Sequence, residues 1–397
     1  MKQKTVYIIG AGFSMSAGAP SQSAIISEIF ELEKVDFNRN TSKVKNWIKE
    51  FREFLEESLF LTPDERDYYT LEDIYTPIDR SIAEGISFRG YDLEKLQKLR
   101  DTFNRLIILA VRNSIEKSGK PKDSITHFAK HVAYLGKQRL YDAKDDRVAI
   151  ITTNWDIMLD NAINQILINE PVKAGKFNGV VDYCCYISSL ERDDEKIKPG
   201  LYALGKGGYN VKLIKLHGSL NWLQCPKCHR LYVKYFKTWN GGYVFGAKYC
   251  RHCDKNFETI KDSSNQLKIS LIMPTFLKNL NNVQNKLMWQ NAGIELSEAS
   301  KVVFLGYSLP QADFEFKQLL SRMIRADAEI EVVLVEKDNP ENYADKDKLK
   351  NDMQYQTAGY RYENFFSGRN PKITYKGIDA YISSLPTSKT TKTLFIW

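Results

Sequence analysis

Apolar residues recur along this chain with two different spacings. Short continuous runs rich in Val and Ile stand at 5–9, 147–152, 211–216, 267–273, 301–305 and 329–335, and they read as buried strands. Apolar residues spaced three and four apart among charges stand at 44–59, 93–114 and 125–135, and they predict amphipathic helices. Helical spacing also fills 158–168, 282–297 and 313–324, between the later strands. Short buried strands alternating with helices predict an α/β protein built on a Rossmann-like parallel sheet. The expected division is a discontinuous sheet domain over 1–20, 145–222 and 267–340. A helical insertion would occupy 21–144, a small cysteine-bearing module 223–266, and a C-terminal extension 341–397. Parallel sheets bind ligands beyond the carboxyl ends of their strands, so the polar residues just after each run are the first place to look for chemistry.

Composition narrows the classes. Of the 397 residues 43% are hydrophobic and 27% charged, which suits a folded protein with a sizeable core and not a disordered one. The net charge of +8 is modest for this length; it permits a nucleic-acid or acidic partner without requiring one. No run of 18 apolar residues occurs, so no membrane span is expected. The N-terminal lysines precede an apolar stretch that stops at Gly10 with no cleavage site after it, so a first strand is expected there and not a leader. The expectation is a cytoplasmic protein with reduced thiols.

The chemistry-bearing motifs follow the strands. Gly10-Ala11-Gly12-Phe13-Ser14 comes after the first strand and before a helix; glycines there let backbone N–H groups approach a diphosphate. Met15 replaces the third glycine of a full dinucleotide fingerprint, and a plain strand-to-helix turn explains a lone Gly-x-Gly equally well. Thr153-Asn154-Trp155-Asp156 follows the second strand; Asp156 has an ordinary reading as a helix cap, which leaves Asn154 without one. His217, followed by Gly218 and Ser219, is placed to project over the sheet edge, and an ordinary imidazole suits a general base near neutral pH. Gly306-Tyr307-Ser308-Leu309 offers backbone N–H and a hydroxyl to phosphate or ribose, and Glu336 or Asp338 could accept hydrogen bonds from ribose hydroxyls. Each of these alone reads as a loop.

The strongest local signal is metallic. Cys225-x-x-Cys228 and Cys250-x-x-Cys253, separated by 21 residues, form a zinc-ribbon pattern of four thiolates around one tetrahedral Zn²⁺. Four protein ligands leave no open position, so the metal is expected to be structural. His229 and His252 flank the knuckles but are not needed. Cys184 and Cys185 have no such partners and read as packing residues.

Taken in order, Gly-Ala-Gly-x-Ser, Thr-x-Asn-x-Asp, His-Gly, the two-knuckle ribbon and Gly-x-Ser-Leu closely resemble the sirtuin family. The forms at 10–20 and at 216–222 look most like its bacterial anti-phage defence branch. The resemblance covers roughly 1–20, 147–165, 211–260 and 268–340. It implies NAD as substrate, with the Gly10–Ser14 loop, Gly306 and Ser308 at the diphosphate and Glu336 or Asp338 at the adenosine ribose. It places Asn154 and Asp156 at the nicotinamide ribose, adds Thr153 to the NAD-binding residues and makes His217 the base, so the catalytic set is His217, Asn154 and Asp156. The implied activity is NAD⁺ hydrolysis to nicotinamide and ADP-ribose, gated by homo-oligomerisation or by a partner such as a HerA-type ATPase, an Argonaute-like protein or another sensor. The insertion and the aromatic tail are the expected assembly surfaces. Protein deacylases of the family continue the first motif as Pro-Asp-Phe-Arg and carry Phe-Gly-Glu beyond the zinc module. Here Pro20 is followed by Ser21-Gln22-Ser23, and Met273-Pro274-Thr275-Phe276 stands in the second place, which weakens a lysine-deacylase reading. A third reading is non-enzymatic: a nucleic-acid or ADP-ribose binder using Lys234, Lys237, Lys248 and Arg251 in the ribbon.

Overall fold

The computed structural model describes residues 3–62, 69–120, 122–169, 179–191, 197, 200–235, 242–256, 265–273, 275, 278, 280, 282–339, 341 and 357–387. Pro274, Phe276 and Lys237 lie outside them.

The strands, in chain order, are β1 (Thr5–Ile9), β2 (Val148–Thr152), β3 (Val180–Asp182), β4 (Ile187–Ser189), β5 (Asn210–Lys215), β6 (Gly218–Gln224), β7 (Leu231–Val233), β8 (Lys268–Leu271), β9 (Lys301–Leu305), β10 (Glu329–Val333) and β11 (Lys372–Thr374). Seven form one sheet in the order β11-β10-β9-β1-β2-β5-β3, with every neighbouring pair parallel. The physical reason is burial on both faces: every residue of Val148–Thr152 is buried, as are the last four of Thr5–Ile9. The Rossmann-like parallel sheet anticipated from the alternation is present.

Register sets the functional edge. Ile9 pairs with Thr152 on one side and Leu305 on the other, Thr152 pairs with Lys215, and Leu305 with Val333. Five strands therefore stop level, and the residues after them share one edge. β1 is the switch point: the chain adds β2 on one side of it and β9 on the other, which is where open α/β sheets leave a crevice.

The smaller sheet runs β4-β7-β6-β8. β8, expected from its apolar run, joins this sheet and pairs antiparallel with β6. The chain enters it through Gly218, whose φ of 77° and whose would-be Cβ, 2.3 Å from the Ser270 carbonyl oxygen, exclude any other residue.

The helical stretch is built around the helix Leu93–Ser118. It is N-capped by Asp92, which accepts from the Lys95 N–H at 2.8 Å, and it ends on left-handed Gly119. Its buried residues include Leu96, Leu99, Phe103, Leu106, Ile107 and Val111, and it packs against the helices Ile25–Glu31, Thr41–Glu53 and Leu71–Glu84. The predicted helix over 44–59 is Thr41–Glu53 continued by a π-helical turn, Phe54–Ser58. Five strands were not foreseen: β6, whose seven residues mix glycine, polar and apolar types without an apolar run, and β3, β4, β7 and β11. The last four have three residues each, too few to display a period. β11 lies in the C-terminal extension and pairs with β10, so the sheet runs one strand further than the apolar runs suggested.

Candidate active site and the four-cysteine cluster

The two glycine loops are packed backbone to backbone. A Cβ on Gly10 would meet the Tyr307 Cα at 2.5 Å, and one on Gly306, at φ 61°, would meet the Phe13 nitrogen at 2.4 Å. Gly12 N–H donates to the Gly306 carbonyl at 2.9 Å, Phe13 N–H to the Gly10 carbonyl at 3.0 Å, and Gly10 N–H to the Leu305 carbonyl at 3.2 Å. The glycines thus serve close approach of one loop to the other, and the N–H groups of Gly10, Gly12 and Phe13 are already bonded within the protein.

Asn154 ties the second strand to this loop. Its Nδ2 donates to the Gly10 carbonyl at 2.8 Å and to Ser14 Oγ at 3.3 Å. Ser14 in turn bonds the Asp156 carboxyl. Asp156 does serve the capping role, accepting from the Met158 N–H at 3.1 Å. It is also buried, which pushes its pKa up, with Lys215 opposing. Lys215, 1% exposed, donates to the Asp156 carbonyl at 2.6 Å and to Asp160 at 2.9 Å, so a buried ion pair underlies the site.

His217 follows β5 and is 4% exposed. Burial lowers its pKa to about 4, with Asp313 opposing and Lys278 adding to the fall. The ordinary value assumed from the sequence does not hold, because the imidazolium would be desolvated here. The ring is neutral throughout the physiological range. Its Nε2 faces Asp313 Oδ1 at 3.5 Å. Asp313 Oδ2 accepts from the Tyr307 hydroxyl at 2.8 Å, and Lys278 Nζ lies 3.1 Å from Oδ1.

These groups line one pocket of about 800 Å³ with its mouth included. Ala11, Thr153, Asn154, Asp156, His217, Gly306 and Ser308 come from the sequence-derived set; Trp155, Tyr307, Pro310 and Asp313 join them. The far wall is Ala19, Pro20, Gln22, Ile25 and Val111, so the helical stretch closes the crevice. Gln22 is fixed by donating to Glu72 at 3.0 Å, and Ser21 caps the turn that carries it. Gly10, Gly12, Phe13 and Ser14 stand behind the lining. Glu336 and Asp338 occupy a 3₁₀ turn after β10, away from the lining; Arg361 reaches between Asp338 and Ser308, donating to the Ser308 carbonyl at 2.9 Å.

Sequence reasoning missed Asp313, Lys278 and Trp155. Asp313 begins a helix and looks like a cap, Lys278 lies in a stretch with no period, and Trp155 reads as packing. Trp155 Nε1 donates to the Ile272 carbonyl at 3.2 Å, and Ile272 N–H donates to the His217 carbonyl at 3.0 Å, so the smaller sheet is hung directly from the site.

The four cysteines converge. Cys225, Cys228, Cys250 and Cys253 place their sulfurs within 4.8 Å of one another, with Cys225 and Cys253 at 3.8 Å and Cys228 and Cys250 at 3.6 Å. A tetrahedron with Zn–S bonds of about 2.3 Å has edges of about 3.8 Å, so the set fits a tetrahedral thiolate site. The Cys228 N–H points at Cys225 Sγ, 3.5 Å away, which favours the thiolate. Cys184 and Cys185 pack against the core, as expected.

No protein-family model and no curated protein matches the chain. Among solved structures, the chain is similar to a Sir2 mutant with a p53 peptide and NAD, at 12% identity and a TM-score of 0.37, covering 97% of this chain and 92% of that one. It is similar to a Sir2 homologue mutant in complex with ADP-ribose, at 12% identity and a TM-score of 0.37, covering 92% of each chain. It is also similar to Sir2Tm bound to a propionylated peptide, at 13% identity and a TM-score of 0.34, covering 96% of this chain and 91% of that one. The fold rests on the sheet order, register and cysteine cluster described above. No helix among the described residues is long and apolar enough to cross a membrane.

Proposed function

We propose that this chain binds NAD⁺ across the carboxyl edge of the parallel sheet and hydrolyses its nicotinamide–ribose bond, releasing nicotinamide and ADP-ribose. The observation that carries the reading is the convergence of Asn154, Asp156 and a buried, neutral His217 in one pocket at the switch point of the sheet. The order of motifs that resembles the sirtuin family supplies the substrate. Ala11 and Ser308 hold the diphosphate, with Gly10, Gly12, Phe13, Ser14 and Gly306 shaping the loops that present them. Asn154 and Asp156, held by Ser14, position the nicotinamide ribose, with Thr153 beside them. The adenosine ribose lies toward Glu336 and Asp338.

As the glycosidic bond breaks, positive charge develops on the ribose. The Asp156 carboxylate and the oriented side chains around it stabilise that charge, and the apolar wall of Ile25 and Val111 keeps stray water out. His217 takes a proton from water or from a ribose hydroxyl. Zn²⁺, when bound by the four cysteines, supplies folding energy to the smaller module and no chemistry, since no coordination position is open.

On the resemblance, the biological role is NAD⁺ depletion in anti-phage defence by a cytoplasmic homo-oligomer, gated by assembly or by a partner, with a HerA-type ATPase the favoured one. Incubating the purified chain with NAD⁺, with and without an acetyl-lysine peptide, separates the readings. Nicotinamide and free ADP-ribose without peptide support hydrolysis. Release only with peptide, as O-acetyl-ADP-ribose, would make the protein a deacylase.

A further inference from the structure

Asp313 stands where the helix Phe314–Met323 needs its N-cap, a position at which an aspartate ordinarily accepts a bond from the first turn. It makes no such bond. The carboxylate turns away from its own helix and into the pocket, where it is 3% exposed. Giving up a cap is unfavourable, so the orientation needs a counterweight. Two groups supply it: the Tyr307 hydroxyl on Oδ2 at 2.8 Å, and the Lys278 ammonium 3.1 Å from Oδ1. The Lys278 side chain is fully buried and its ammonium lies 3.0 Å from Glu315. Tyr307 belongs to the Gly306 loop that is locked against Gly10. The aspartate is therefore keyed to the glycine loops at one oxygen and aimed at His217 Nε2, 3.5 Å away, with the other.

We propose that Asp313 is a positioning residue for His217, holding the ring in the tautomer protonated at Nε2 so that Nδ1 carries the lone pair that accepts the proton. The inference rests on the reading of the pocket as a site of NAD⁺ cleavage. In the step, the C1′–N bond breaks and its electron pair leaves with nicotinamide. The oxygen of water bonds to C1′, and a proton of that water passes to Nδ1 of His217. The carboxylate then faces an imidazolium, and their attraction is greatest after the proton has moved, when it is useful for catalysis. Lys278 balances Asp313 in the resting site, so the carboxylate does not charge the histidine beforehand. Burial, Lys278, Asp313 and Glu315 are the influences that act on the ring, and burial dominates.

The test is ¹⁵N NMR of the full chain labelled at histidine, with His217 assigned through His217→Gln, beside steady-state kinetics on Asp313→Asn and Tyr307→Phe. The sequence holds five histidines, so the spectrum is simple. At neutral pH the expected ring is protonated at Nε2 in the wild type and loses that preference in Asp313→Asn. The expected kcat falls about 100-fold in Asp313→Asn with KM for NAD⁺ little changed, the pattern of an interaction made in the transition state. Tyr307→Phe, which leaves the carboxylate in place with one bond fewer, falls about 10-fold or less. A wild-type ring protonated at Nδ1 would overturn the proposal, and so would Asp313→Asn with wild-type tautomer and kcat. Failure of the underlying reading is separate: it shows as a wild type that neither binds nor cleaves NAD⁺, while the tautomer still decides whether Asp313 orients the ring.

Discussion

The two ends of the parallel sheet treat charge in opposite ways. At the amino edge, Lys4, Lys212 and Arg139 interleave with Asp146, Glu295 and Glu298: Lys4 Nζ lies 2.9 Å from Asp146 and 2.6 Å from each glutamate, Lys212 2.6 Å from Asp146, and Arg139 2.6 Å from Asp146. The three carboxylates converge closely enough to suggest a cation site, but the buried Lys4 ammonium already sits among them. Burial opposes ionisation of Asp146, yet Lys212 and Lys4 outweigh it and hold the carboxyl well below its usual range. At the carboxyl edge, His217 Nε2 makes no hydrogen bond in the protein and meets Asp313 only at 3.5 Å. One edge is electrostatically complete; the other holds a buried histidine and carboxylate that face each other without a closed hydrogen bond. Parallel strands place ligands at that second edge, and the charge pattern reaches the same conclusion independently.

This contrast can be broken from either side. The largest effect is expected away from both edges: Cys225→Ser with Cys228→Ser removes half the thiolates of a site whose metal binding is worth about 10 kcal/mol or more in small zinc modules. The smaller sheet should unfold, seen as loss of bound zinc and of protection of β6–β8 amides in hydrogen exchange. A folded, zinc-free double variant would remove the structural role. Next in size, Lys4→Met leaves buried carboxylates facing one another and should cost about 3–5 kcal/mol, read as a lower denaturation midpoint. Acid works on both edges. His217 has a folded pKa near 4 against 6.5 for the free side chain. The unfolded chain therefore binds the extra proton first, and stability falls as pH drops from 6.5 toward 4. Asp146, with its folded value lowered, adds a loss at still lower pH as the amino-edge network is protonated. Turnover should stay flat from neutral pH down to about 5.5, because His217 remains in its basic form. A rate that halves near pH 6.5 would show that His217 is exposed or is not the base.

The amino edge and the carboxyl edge also differed in how far the sequence revealed them. Strand interiors such as Val148–Thr152 are legible because burial on both faces demands an unbroken apolar run. The residues after them, Gly10, Asn154, His217 and Gly306, are legible because each interrupts a strand with a type that has a special use. What the sequence conceals is convergence from distant chain. Asp313 reads as a cap until its carboxylate is seen to turn away, and Gln22 and Val111 enter the pocket only because a helical segment folds back over the sheet edge. The network of Lys4, Asp146, Lys212 and Glu295 joins residues nearly three hundred positions apart, and no local pattern marks such a set. The acids at Glu336 and Asp338 show the converse: position after a strand brought them to the correct edge but not into the pocket lining.

The separation of the two edges is the central claim, and nicotinamide release tests it most directly. Wild type, Asn154→Ala, His217→Ala and Lys4→Met should be compared with NAD⁺ at equal concentrations of folded protein. The account predicts free nicotinamide and ADP-ribose from the wild type, and a rate unchanged in Lys4→Met per folded molecule. It predicts a loss of about 100-fold or more in the other two, with their denaturation midpoints near that of wild type. A His217→Ala variant as fast as wild type, or a folded Lys4→Met variant that has lost activity, would contradict it.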